Sequence, residues 1–148
     1  MKIEAESTWV SIQRDYEITK RGFGKKINFV RDPFKRKIIF RDIEQAYVLA
    51  NSGFSKPAVI LVGSVIEELL RIYLAHRNIT PNKNSFEAYI KACEDNGVLK
   101  LAIHRLTDSI RQFRNLVHLE KESSARSTIS RATAIAAISS IFTIVNDL

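Results

Sequence analysis

Cysteine is almost absent from this chain. The single Cys93 among 148 residues excludes an intramolecular disulfide framework and fits a reducing compartment, and it is read as a small core residue rather than a nucleophile. Long apolar runs are also missing. The longest extends from Pro57 to Gly63, and the apolar stretch from Thr133 to Val145 is broken by Ser139, Ser140 and Thr143, so neither spans a bilayer. The start, Met1-Lys2-Ile3-Glu4-Ala5-Glu6, is acidic and has no hydrophobic signal core; a cytoplasmic location without membrane contact is expected. His76, His104 and His118 lack the paired Cys, Asp or Glu spacing of a zinc or two-metal site, so no metal and no cofactor is expected. Arg21-Gly22-Phe23-Gly24-Lys25-Lys26 lacks the strand context and full spacing of a nucleotide-binding loop. A serine triad has no support, and no repeat or low-complexity segment is seen.

What is present begins with composition. At 45% hydrophobic and 26% charged, the chain has the make-up of one ordinary globular domain with a real core. Its net charge of +7 is unevenly spread: residues 1–37 hold ten Lys or Arg against five Asp or Glu, whereas residues 38–148 hold thirteen against eleven. Lys20, Arg21, Lys25, Lys26, Arg31, Lys35, Arg36 and Lys37 stand against the single acid Asp32, with Phe23, Phe29 and Phe34 between them. Cations interleaved with rings suit a single-stranded nucleic acid, with charges on phosphates and rings under bases. Lys25, Lys26, Arg31, Lys35, Arg36 and Lys37 are the candidate RNA-binding residues. The competing reading is a solvated basic surface whose phenylalanines are core anchors.

Apolar spacing is helical almost throughout and predicts a series of helices. The first covers roughly residues 6–21, with Trp9, Ile12, Tyr16 and Phe23 near one face, closed by Gly22 and Gly24. A linker that could be extended follows through Ile27, Phe29 and Val30. Asp32-Pro33 reads as a helix start, since Asp caps free amides and Pro fits the first helical position. That helix carries Ile39, Ile43, Ala46 and Ala50 and stops near Gly53. Ser55 and Pro57 resemble another start. The helix to about Arg77 is apolar on most sides, which marks it as central, and Gly63 within it points to a close backbone approach. Ser85 caps a short helix ended by Gly97; a helix over about 99–118, a polar connection over 121–126 and a last helix over about 128–145 complete the series. The division expected is a basic N-terminal helix and arm, 1–37, packing on or extending a helical bundle, 38–148.

In the helix over 99–118, Leu99, Ile103, Leu106, Ile110, Phe113 and Val117 form an apolar seam. His104, Thr107, Arg111, Arg114 and His118 each follow a seam residue by one position, so they make a polar stripe turned about 100° from it. Arg111 and His118 point within roughly 20° of each other. Arg binds phosphate oxygens through a planar fork of donors and His moves protons near neutral pH, a pairing suited to RNA cleavage without metal. On spacing alone, a charged flank of ion-paired arginines and a satisfied surface histidine is the better supported reading.

The segment Arg111-Gln112-Phe113-Arg114-Asn115-Leu116-Val117-His118 resembles the signature of the HEPN superfamily, an Arg followed after four to six residues by His, often with Asn after an arginine. Ile43 to Arg71, and especially Gly63-Ser64-Val65-Ile66-Glu67-Glu68-Leu69-Leu70-Arg71, resembles the family's first two core helices, and the likeness covers about residues 38–148. It implies an all-α, single-domain up-and-down bundle with an extra N-terminal helix or arm, and a metal-independent endoribonuclease of the toxin or phage-defence kind. His118 would act as general base or acid and Arg111 and Arg114 would hold the scissile phosphate, giving 2′,3′-cyclic phosphate ends. Asn115 would orient His118 or the phosphate, and Glu67 would pair with a motif arginine; Glu68, flanked by Leu61, Val65, Ile72 and Ala75, is the weaker candidate. The resemblance further implies a homodimer with both motifs at a shared cleft, RNA as partner, and an antitoxin or regulatory protein as a second one. Leu119 stands where many relatives have Pro, and either arginine fits part of the signature. The alternatives are an inactive RNA- or nucleotide-binding module and a helical protein-interaction domain.

Overall fold

A computed structural model describes residues 2–98 and 129–148, with side chains from residue 8 onward. Regular structure among these residues is entirely helical: α1 (Lys2–Tyr16), α2 (Lys20–Lys26), α3 (Pro33–Asn51), α4 (Ser55–His76), α5 (Phe86–Asp95) and α6 (Arg131–Asp147). The expected helix over 99–118 and the connection over 121–126 lie outside the described residues.

The N-terminal region differs from the single helix closed by glycines. α1 stops at Tyr16, where Glu17 takes a φ of +56°. A second helix then starts on Thr19, whose hydroxyl accepts from the amide of Gly22 at 2.9 Å. Both glycines therefore sit inside α2 rather than ending α1. A Cβ on Gly22 would lie 2.8 Å from the Thr19 hydroxyl, and one on Gly24 would lie 3.1 Å from Nη2 of Arg36. These are close approaches, and a breaker and a close-packing glycine look alike in sequence. The linker after α2 is coiled into turns, with the Ile27 amide donating to the Phe23 carbonyl and the Val30 amide to the Ile27 carbonyl. Ile27 and Val30 are buried.

Asp32 caps α3 as its sequence predicts, accepting from the amides of Phe34 at 2.9 Å and Lys35 at 3.4 Å, with Pro33 in the first turn. Gly53, at φ +86°, lies in the three-residue link between α3 and α4. So short a link folds the two helices into an antiparallel hairpin, and Lys35 near the start of α3 meets Glu68 in the second half of α4 at 3.6 Å. Ser55 is not the cap of α4; Phe54 holds that position without a side-chain bond, and Ser55 is buried in the first turn. Ser85 does cap α5, accepting from the Ala88 amide at 3.2 Å, and Gly97 follows at φ +66°.

α4 is the central element, packing against α3, α5 and α6. Its inward residues include Val62, Ile66, Leu69, Leu70 and Leu74, and Gly63 is buried with them. Residues 1–37 share this core. The Phe23 ring of α2 lies 5.9 Å from Trp9 of α1, 5.6 Å from Phe40 of α3 and 5.6 Å from Phe142 of α6, centroid to centroid. No helix among the described residues is long and apolar enough to cross a membrane.

Candidate nucleic-acid interface

Arg111, Arg114, Asn115 and His118, with His104, lie outside the described residues. Glu67 is half-buried on α4, and the arginines it is expected to meet lie outside as well. The described part of the candidate site is therefore the basic segment and whatever α4 brings against it.

Its six candidate RNA-binding cations are treated differently by the fold. Lys25 on α2, Arg31 before α3 and Lys37 on α3 are exposed. Lys26 donates to the side-chain carbonyl of Asn146 near the end of α6. Lys35, Arg36 and Lys37 are consecutive on a helix and so fan out by about 100° each. Lys35 turns to Glu68 of α4, while Arg36 turns to α2 and its trailing turn, donating to the carbonyls of Gly24 at 2.9 Å, Ile27 at 2.9 Å and Val30 at 3.2 Å. Lys37 is left to solvent. A run that reads as one basic stripe thus splits into a structural clamp, an ion pair and an exposed cation.

The three phenylalanines split as well. Phe23 is fully buried, Phe29 is half-buried and Phe34 is 69% exposed. Core anchoring accounts for the first, and an exposed ring beside Arg31, Lys35 and Lys37 fits the stacking role.

Glu68, the weaker acidic candidate, gathers the charges of the site. It accepts from Arg71 Nη2 at 2.5 Å and Nε at 2.9 Å, and Lys35 lies 3.6 Å away. The hydrogen bonds from Arg71 hold its carboxyl below the usual carboxylate range; partial burial opposes this, and the charges of Arg71 and Lys35 add to it. Arg71 also borders an open cleft of about 660 Å³ between the end of α4 and α5, with Asn78, Pro81, Asn84 and Tyr89 on its walls. The signal missed in sequence was the three-residue spacing of Glu68 and Arg71, which places acid and base on one helical face.

A second cluster joins the basic segment to the end of α4. The Phe29 ring lies 5.1 Å from Tyr73 and 6.4 Å from His76. Arg77 donates from Nη1 to the Tyr73 hydroxyl at 2.8 Å. At the far side of the bundle Tyr47 donates to Asp15, whose carboxyl is thereby held low, and burial pushes the nearby Tyr16 hydroxyl up to about 12. Cys93 is fully buried, and burial pushes its thiol up to about 12, which leaves no thiolate for chemistry near neutral pH. Among the described residues no group of three or more His, Cys, Asp or Glu side chains stands together as metal ligands.

No family model, no curated protein and no solved structure matches the chain.

Proposed function

We propose that the chain is a metal-independent endoribonuclease of the HEPN type, active as a homodimer and cleaving single-stranded RNA to 2′,3′-cyclic phosphate ends. The observation that carries the reading is the Arg111, Arg114 and His118 spacing, preceded by a helix bearing Gly63 and Glu67 and followed by a last helix. In this reading His118 takes the 2′-hydroxyl proton or protonates the leaving oxygen. Arg111 and Arg114 hold the phosphate and stabilise the charge that builds in the transition state, with Asn115 and Glu67 fixing their directions. The exposed cations Lys25, Arg31 and Lys37 and the exposed ring of Phe34 supply grip for the flanking strand. Cytoplasmic RNA is the substrate, and an antitoxin-like protein is the expected regulator.

The test is to incubate wild type and His118→Ala with mixed RNA and a chelator and to determine fragment ends. Cleavage that survives the chelator, stops in the variant and leaves cyclic phosphate supports the reading. Fragments of equal yield from both proteins, or chelator-sensitive fragments, would overturn it. Leu119, in place of the proline that many proteins with this motif carry, favours a second reading: the same surface binds RNA without cutting it. Salt-dependent binding with no product selects that one.

A further inference from the structure

We propose that His76 and Arg77, at the C-terminal end of α4, form a base-stacking subsite for single-stranded RNA. The inference rests on the RNA-binding part of the function proposed above and extends it to residues outside the basic segment. Three rings are packed from the core outward. Tyr73 is only 8% exposed, Phe29 is half-buried against it at 5.1 Å and 78°, and the exposed His76 ring lies 6.4 Å from both, tilted 36° to Phe29 and 43° to Tyr73. The inner rings limit where the imidazole can go. Arg77 is fixed from the same residue, since Nη1 donates to the Tyr73 hydroxyl at 2.8 Å and the guanidinium carbon lies 5.7 Å from the Tyr73 ring centroid. Two planar groups, one aromatic and one cationic, therefore face solvent on a rigid base. Such groups stack with unpaired nucleobases of any sequence, and fixing them in advance reduces the ordering cost of binding.

Charge identifies the rest of the ligand. Phe29 belongs to the turn between α2 and α3, and the exposed Arg31 follows it by two residues, at most about 7 Å of chain. Asp32, the nearest acid in sequence, is occupied by the amides of Phe34 and Lys35. A strand whose base lies on His76 and Arg77 thus has a cation within reach of its phosphate. Rings combined with cations select a nucleic acid over an acidic peptide, and a base must be out of a duplex to reach them.

Binding is measured by anisotropy with a uniformly 2′-O-methylated RNA 12-mer, which lacks the attacking hydroxyl and so stays intact, and with an abasic strand of the same length. His76→Ala and Arg77→Ala are each expected to weaken binding to the 12-mer about 5- to 150-fold. His76→Phe, which keeps a ring, is expected to hold affinity near that of the wild type. The abasic strand should bind wild type and His76→Ala equally. An undiminished affinity in His76→Ala, a His76→Phe variant as weak as His76→Ala, or displacement of the 12-mer by polyglutamate of equal charge would overturn the subsite while leaving the proposed function standing. A wild type that binds no RNA at low salt would overturn both.

Discussion

Arg36 of α3 and Gly24 of α2 are joined by a 2.9 Å hydrogen bond from the guanidinium to the glycine carbonyl, and the same guanidinium reaches the carbonyls of Ile27 and Val30. A helix ends with carbonyls that no helical amide can serve, and a cation is favoured at that end. One planar fork thereby closes α2 and the turn after it and ties both to α3. Arg36→Ala is expected to cost about 2–3 kcal/mol in urea denaturation, because it leaves carbonyls without their charged donor. Arg36→Lys should recover less than half, since a single ammonium cannot span the three acceptors. A loss below about 0.5 kcal/mol, the level of an ordinary surface change, would show that the clamp is not stabilising.

Glu68 is ion-paired with both Arg71 and Lys35, so it offsets part of the positive field of the site. Glu68→Gln is expected to strengthen RNA binding several-fold and to steepen its log–log salt dependence by about 0.7–1.4, the equivalent of one or two additional phosphate contacts on a single strand. An unchanged slope would separate this cluster from the RNA surface. The carboxyl titrates below its ordinary value in the folded chain, so its contribution to stability is present above the ordinary carboxylate pKa and fades as pH falls. Partial exposure keeps that contribution small.

At the alkaline end Cys93 and Tyr16 contribute, as does Tyr47, whose phenol is pushed up by burial and by its bond to Asp15. Burial raises Cys93 and Tyr16 to about 12 in the folded chain, from 9.0 for the thiol and 10.0 for the phenol. Where the unfolded chain ionises and the folded one does not, the unfolded state binds fewer protons, so stability falls as pH rises. Their contribution is intact below pH 9 and is lost between about 9 and 12. Thermal midpoints are expected to drop across that window, and Cys93→Ala should flatten its lower part. Thiol reagents should label Cys93 at pH 8 only at the rate of unfolding; rapid labelling of the native chain would contradict its burial.

Much of the helical frame is written in local signals. Asp32-Pro33 and Ser85 cap where their side chains predict, because capping needs only residues one to three apart. Ser55 and Pro57 mark the start of α4 correctly, although Phe54 rather than the serine holds the cap position. Most failures are tertiary in origin. Gly24 reads as a breaker because nothing local announces that Arg36 crowds it, whereas Gly22 meets Thr19, the cap of its own helix three residues earlier. Lys35, Arg36 and Lys37 read as one patch because their different partners, Glu68 for the first and the carbonyls near α2 for the second, come from elsewhere in the chain. The cluster of Phe29, Tyr73, His76 and Arg77 was beyond reach for the same reason: it joins residues more than forty positions apart.

Phe23 and Phe34 carry the same side chain, lie in the same basic segment and should respond oppositely to alanine. Phe23 is fully buried among Trp9, Phe40 and Phe142, so its removal opens a cavity shared by four helices. Phe23→Ala is expected to cost about 3–5 kcal/mol, with RNA binding lost only through unfolding. Phe34 is 69% exposed in the first turn of α3, and its removal uncovers nothing. Phe34→Ala should keep stability within about 0.5 kcal/mol of wild type and weaken binding of the methylated 12-mer by the ~1–3 kcal/mol of one lost stacking contact. Denaturation and anisotropy on the same preparations separate the two outcomes. If Phe34→Ala bound RNA as tightly as wild type, the exposed ring would have no part in the interface, and the basic segment would act there through charge alone.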